Sequence, residues 1–295
     1  MSDRSRGMLL VLAAGVLWST IGLGIRLIEE AQVWQIMLYR SLSLSLYLFV
    51  VIVIRRRSNP FVLAGRMGLA GAIGALGLVA AYSGAIYGIQ KTSVANAMLL
   101  FASAPFVAAI LGRVVLGERV RRATLVAIGV ALVGIVIMVW DGFGNSGNMW
   151  GNLAALGSAV GFAVFTVALR AGRANDMMPA VFLSGLFAIV ITGSICLLTG
   201  LPLVLTAWDG GVALTMGVVQ VGTGLVLYTI GSKSVPAVEL TLLAMAEVLL
   251  GPVWVWLVLG ETAALNTLIG GAILMAAIVG NAVSGARRKP PVPMP

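Results

Sequence analysis

Histidine is absent from the chain, cysteine occurs once, and charged side chains make up only 10% of the residues. Each shortage removes a class of function. Without histidine there is no histidine-ligated haem, no histidine-rich di-iron centre, no zinc-protease His-Glu-x-x-His helix and no imidazole proton relay. The single cysteine, Cys196, lies inside an apolar run. It can form neither an internal disulfide nor a cysteine-based metal site, and it reads as a small packing residue. No Gly-x-x-x-x-Gly-Lys-Ser/Thr loop occurs, so the chain does not hydrolyse nucleotide itself. The sequence therefore argues against an enzyme and calls for no cofactor and no metal. A soluble domain carries roughly 25% charge, so water is not the main solvent of this one.

What fills the chain is apolar: 60% of its 295 residues are hydrophobic. The charges are clumped, and the runs between the clumps cover roughly 8–28, 33–54, 67–88, 94–116, 123–140, 149–169, 178–199, 210–230, 237–259 and 265–284. Most are long enough as helices to cross a hydrocarbon core of about 30 Å. They do not alternate with period two, which excludes barrel strands. The first run follows Arg4 and Arg6, is too long for a signal-peptide core and leads straight into further spans, so it reads as an uncleaved first helix.

The net charge of +9 does not point to nucleic acid, because the basic residues sit in short loops and not on one stripe with stacking aromatics. Sixteen of the nineteen Lys and Arg fall on one side of a ten-span arrangement; Arg26 and Lys91 fall on the other, and Arg40 lies within a span. That alternation fixes both termini in the cytoplasm by the positive-inside rule.

The chain also repeats itself. Leu116-Gly117-Glu118 recurs as Leu259-Gly260-Glu261 at an offset of 143, and Leu12 to Arg26 matches Leu156 to Arg170 at 144, with Trp18 on Phe162. Each half is one five-span unit, and an odd number of spans forces the two halves into opposite orientations. Inverted repeats place a site near the bilayer midplane and let it open to either side. The fold expected is all-α and integral to the membrane, with ten transmembrane helices as two inverted five-helix repeats. The first repeat covers 1–145, the second 146–286, and residues 287–295 form a disordered cytoplasmic tail.

Two five-helix halves, each with a late Leu-Gly-Glu ahead of a Gly-rich last helix, resemble the EamA-type drug/metabolite transporters. Trp18-Ser19 in the first span and Arg40 in the second fit the same pattern. The resemblance covers nearly the whole chain and is strongest to the YddG type, bacterial inner-membrane exporters of aromatic and other neutral amino acids. It implies export by alternating access through a central cavity lined mainly by helices one, three, four, six, eight and nine. One departure is that Pro105 of the first half faces Glu247-Val248 in the second, where the proline, Pro252, comes later.

Several residues are candidates for the transport site. A mid-span charge costs about 2.5–3.5 kcal/mol on insertion scales and so faces the bundle interior. Arg40 and Glu247 are such charges; Glu239 is a third candidate, near the cytoplasmic end of its span, where the alternative is that it simply reaches water. Glu247 reads either as a pathway carboxylate, taking a substrate ammonium or a proton, or as the partner of Arg40 in a structural pair. Trp18 lies near the centre of span one, where an interfacial belt role does not apply; Tyr82 lies in the outer half of span three, Phe101 near the middle of span four, and Phe162 is the repeat mate of Trp18, while Ser83, Asn96 and Gln220 are intramembrane hydrogen-bonding groups. Together they offer an aromatic cavity with a few polar groups; the alternative for each is ordinary packing. Pro105 and Pro252 each remove a helix hydrogen bond, and Gly84 and Gly88 permit close approach or bending, so all four are hinge candidates. Glu118 and Glu261 read as polar anchors or caps.

The partners expected are a small-molecule substrate, an amino acid, and the lipid bilayer; the oligomeric state is open. Competing readings are a multidrug exporter of lipophilic cations, a carrier of another metabolite, and a channel. Cysteines placed singly at positions 118 and 261 are expected to react with impermeant maleimide from opposite faces of the membrane. Labelling from the same face would dismantle the inverted repeat.

Overall fold

The computed structural model describes residues 3–140, 146–172, 177–235 and 237–286, without the side chains of 4, 146–148, 237–239, 241, 242, 244, 245, 285 and 286. The tail expected at 287–295 lies outside the described residues. Those described are helical with short joints.

Span one is α1 (Asp3–Ser19) and α2 (Ile21–Arg26); span two is α3 (Val33–Arg56). A short helix, α4 (Pro60–Gly65), leads to span three, α5 (Gly68–Lys91). Span four is α6 (Val94–Phe101) and α7 (Ala104–Leu116), and span five is α8 (Arg122–Trp140). Spans six and seven are α9 (Ser146–Ala171) and α10 (Met178–Leu198). Span eight is α11 (Ala207–Thr215), a π-helical stretch (Met216–Thr223) and α12 (Gly224–Gly231). Spans nine and ten are α13 (Ala237–Leu259) and α14 (Leu265–Ala286). Among the described residues, nine helices are long and apolar enough to cross a membrane, and Ala246–Leu259 adds a shorter apolar stretch in α13.

The repeat is visible in the backbone. Helices α7 and α13 end at Leu116 and Leu259, and the glycines that follow, Gly117 and Gly260, share a left-handed φ of +68°. Only glycine takes that φ without strain, so each Leu-Gly-Glu is a helix stop that throws its glutamate sideways.

Small residues bring the halves together. Spans three and six form a long interface in which a Cβ on Gly77 would lie 2.8 Å from the Gly161 carbonyl, and one on Gly84 would lie 2.6 Å from the Ala154 carbonyl. Gly88 meets Ala155 and the Gly151 carbonyl in the same way. These contacts explain the glycine spacing in span three as backbone-to-backbone packing, the usual means by which helices associate in lipid. Spans five and ten meet at Gly134 and Gly270.

Sequence reasoning needs one refinement at the prolines. Pro105 sits in the first turn of α7, where its missing N–H would have no helical partner anyway, and the chain breaks just before it. Pro252 lies inside α13, which continues through it.

Gly161→Ala is expected to cost about 1–3 kcal/mol, since its Cβ would fall 2.6 Å from the Gly77 carbonyl and 2.7 Å from the Ala81 nitrogen. Gly129, with nothing within 4 Å, accepts alanine with no loss. Thermal melts of the detergent-solubilised variants compare the two directly.

Candidate functional site

Arg40 on α3 is 2% exposed, deep inside the bundle. Its guanidinium carbon lies 4.2 Å from the centroid of the Tyr82 ring on α5. A desolvated cation over an aromatic face is stabilised by about 2 kcal/mol, which offsets part of the cost of burying it. Nη2 donates to the Met37 thioether at 3.3 Å, while Nε has no partner. Glu247 on α13 lies across the bundle beside α1, where Gly15 leaves room next to its backbone nitrogen.

The structural pairing of Arg40 with Glu247 is not formed. Arg40 reaches along α3 to a tyrosine face on α5, and the Tyr82 ring, not a carboxylate, covers its charge. Glu247 accepts no hydrogen bond and makes no ion pair within the described residues. The side chain of Glu239 lies outside them.

The aromatic candidates separate into groups. Trp18 packs on Tyr228 of α12, centroids 5.4 Å apart, and Gly224 makes room for its indole edge. Phe101 meets Phe162 edge-on at 5.5 Å. Tyr82 touches both of the large buried apolar clusters, so it stands where they meet. Tyr228 was missed from the sequence, because its depth is set by the irregular helix before it.

The polar candidates also divide. Ser83 bonds back to the Val79 carbonyl at 2.9 Å, spending its hydroxyl on its own helix. Asn96 is buried in a network with Asn152, Thr92 and Thr267 that ties spans four, six and ten. That is helix-to-helix bonding. Gln220 differs: its amide donates to the Thr20 carbonyl at 3.1 Å, but its buried Oε1 has no partner. It lies in the π-helical stretch, a local geometry common at functional sites. The hinge candidates sit outside this group, Gly84 and Gly88 in the three–six interface and Pro105 and Pro252 in spans four and nine. Pro252 borders an apolar cavity of about 310 Å³ near the outer ends of spans four, nine and ten, apart from Arg40.

Sequence reasoning also missed who pairs with whom at the two ends. Arg26 donates from Nε to Glu261 at 2.8 Å and from Nη2 to the Thr92 carbonyl at 2.7 Å, and Glu261 also accepts from the Val94 N–H at 2.8 Å. At the opposite end, Arg170 donates from Nη1 to both Glu118 oxygens, at 3.0 and 2.9 Å. Arg26 and Arg170 are repeat mates, as are Glu118 and Glu261, so the signal was in the sequence. On the outer side Asp209 is 1% exposed and accepts from the backbone N–H groups of Glu29, Glu30 and Ala31 at 2.9–3.0 Å. That carboxylate fastens the α2–α3 loop to α11.

Two halves with repeat-related ion pairs and an intramembrane cation and carboxylate form the frame of a carrier. The sequence matches the EamA-like transporter family at residues 5–140 and again at 149–283. The chain belongs to the EamA-like transporter family. Its relatives include an uncharacterized transporter of Archaeoglobus fulgidus, 31% identical over 196 residues, 66% of this chain and 69% of that one. Another, from Clostridium kluyveri, is 26% identical over 212 residues, 69% of this chain and 67% of that one. A solved crystal structure superposes with a TM-score of 0.67 over 97% of this chain and 100% of its own, at 19% identity, and supports the fold alone. As an EamA-like protein the chain is a multi-pass membrane transporter.

Asp209→Asn leaves one oxygen for three N–H donors and turns an amide toward them. A loss of about 1.5–3 kcal/mol is expected, read as a lower melting temperature in detergent.

Proposed function

We propose that this transporter exports small amphipathic metabolites, aromatic and other neutral amino acids, from the cytoplasm of a bacterial cell by alternating access through a central cavity. The supporting observation is the buried guanidinium of Arg40 over the Tyr82 ring, in a bundle that also holds the mid-span carboxylate Glu247 on span nine. A zwitterion needs such a site: a cation for its carboxylate, a carboxylate for its ammonium, and an aromatic surface for its side chain. Arg40 offers a donor at Nε that the protein itself leaves unused. Glu247 offers its oxygens, and Gln220 adds a free amide oxygen. Trp18 and Tyr228 supply a further aromatic surface nearby on spans one and eight.

A lipophilic-cation exporter is the second reading, favoured by Glu247, a mid-span carboxylate with no cationic partner among the described residues. Arg40 weighs against it, because a fixed positive charge in the same region repels such a substrate. A third reading, a carrier of phosphorylated metabolites, wants several cations, and Arg40 stands alone at this depth.

Purified protein in liposomes, given a panel of radiolabelled amino acids with and without an imposed pH gradient, tests substrate and coupling together. Counterflow of phenylalanine or tryptophan is the expected result; counterflow of a lipophilic cation alone would transfer the assignment to the second reading. Glu247→Gln is expected to lower amino-acid transport at least tenfold, about 1.4 kcal/mol of lost stabilisation. Unchanged rates would remove Glu247 from the mechanism. Replacing both Trp18 and Tyr82 with Ala should reduce export of an aromatic substrate more than export of threonine.

A further inference from the structure

The two ion pairs at the ends of the bundle are related by the repeat, yet they are not equally engaged. Each joins the end of the first helix of one half to the Leu-Gly-Glu stop of the other: Arg26 to Glu261 outside, Arg170 to Glu118 inside. The outer pair holds a third element. Its arginine takes the Thr92 carbonyl and its glutamate the Val94 N–H, so it clasps the junction between spans three and four. On the inner side Arg170 takes no carbonyl of the junction between spans eight and nine among the described residues. The remaining nitrogen of Arg170 reaches the Ala108 carbonyl at 3.5 Å, on the same span that leads to Glu118. Exposure follows the same asymmetry: the outer side chains are 26% and 24% exposed, the inner ones 46% and 42%. Further bonds close the outer face between the halves, among them Trp208 to the Leu27 carbonyl and Gln35 to the Pro202 carbonyl.

We propose that the two pairs are matched latches, that each closes its own face by clasping the following junction of spans, and that transport alternates which of them clasps. The present structure is the state latched outside. The repeat supplies the contacts of the other state. The offset of 143 that carries Glu118 onto Glu261 carries Val94 onto Ala237 and Thr92 onto Val235. Helices α6 and α13 begin at Val94 and Ala237, so the mapping joins equivalent helix starts. In the state latched inside, Glu118 accepts from the first amide of α13 and Arg170 donates to the Val235 carbonyl. At the same time Arg26 and Glu261 release Thr92 and Val94, keeping only each other. Two halves of one design thus exchange roles, which is how an inverted repeat gives two states of similar energy. Arg26, Glu261, Arg170 and Glu118 act here as positioning residues and touch no substrate.

Nitroxide pairs on exposed positions read the two faces separately. Lys91 with Ala264 reports the outer junction and Arg119 with Lys233 the inner one, in a Cys196→Ala background reconstituted without substrate. The unaltered protein should show a short, narrow outer distance and a longer inner one. Glu261→Gln is expected to lengthen the outer distance and shorten the inner one, moving the population ratio about tenfold, within the usual range of coupling between sites. Glu118→Gln should do the reverse, holding the outer distance short. Should Glu261→Gln not fold, Arg26→Lys, which keeps the charge but loses the reach to Thr92, shifts the distances in the same direction by less. An outer distance that stays put in both outer variants overturns the proposal, as does an outward opening caused by Glu118→Gln. The distances are read with no substrate present, so failure here leaves the amino-acid reading standing, and failure of that reading leaves the latches standing.

Discussion

Hydrocarbon offers a peptide group no hydrogen bond, and every irregularity in this bundle is shaped by that constraint. Three spans break their regular helix inside the membrane, and at each break a hydroxyl takes up a carbonyl. At the joint between α1 and α2, Ser19 bonds the Val16 carbonyl and Thr20 the Leu17 carbonyl. At the joint between α6 and α7, Ser103 bonds the Leu100 carbonyl. At the end of the π-helical stretch, Thr223 bonds the Val218 carbonyl five residues back. The breaks also draw on neighbours: Trp254 donates to Ser19, and Gln220 to Thr20. Bends that lipid would forbid are thereby confined to the interior, where span one meets spans eight and nine.

Most of the architecture was legible because it follows from one-dimensional quantities. Span lengths come from the thickness of the bilayer, orientation from the arginines, and inversion from an odd number of helices per repeat. The conserved phase of Leu-Gly-Glu even fixed where α7 and α13 stop. The irregular stretch in span eight was not legible. It depends on Gly217 meeting the Arg40 backbone, Gly222 meeting Tyr47 and Gly224 meeting Trp18, three contacts with residues far away in sequence. Nothing in the eight residues from Met216 to Thr223 announces that their neighbours leave room for a wider turn. Pro252, by contrast, lies within a helix that continues through it.

Among the candidate site residues, charged and uncharged polar groups pose different problems to a sequence reading. A buried charge must be answered by something specific, so few places suit it. Asn96 and Ser83 can be satisfied almost anywhere that a carbonyl or amide is near, and each found a partner within the scaffold. The end pairs show a different gap. Repeat symmetry told which residues were equivalent, but partner choice depends on how the halves dock. Arg26 could have met Glu29 or Glu30 beside it in sequence; docking brought it Glu261 from the other half instead.

The covering of Arg40 by a ring and not by Glu247 has a consequence for how such a site can stay empty. An ion pair within a low-dielectric interior is strongly attractive once formed, and breaking it leaves two uncompensated charges. A substrate competing for either partner would face that attraction at every turnover. A tyrosine face holds a guanidinium more weakly and leaves donors at its edge free, as Nε is here. The carboxylate is kept on another helix, α13, which packs against α1 at Gly15. With a ring over the guanidinium and the carboxylate on another helix, the two groups do not neutralise each other, and the Arg40 Nε is left with hydrogen-bonding capacity that no described residue uses.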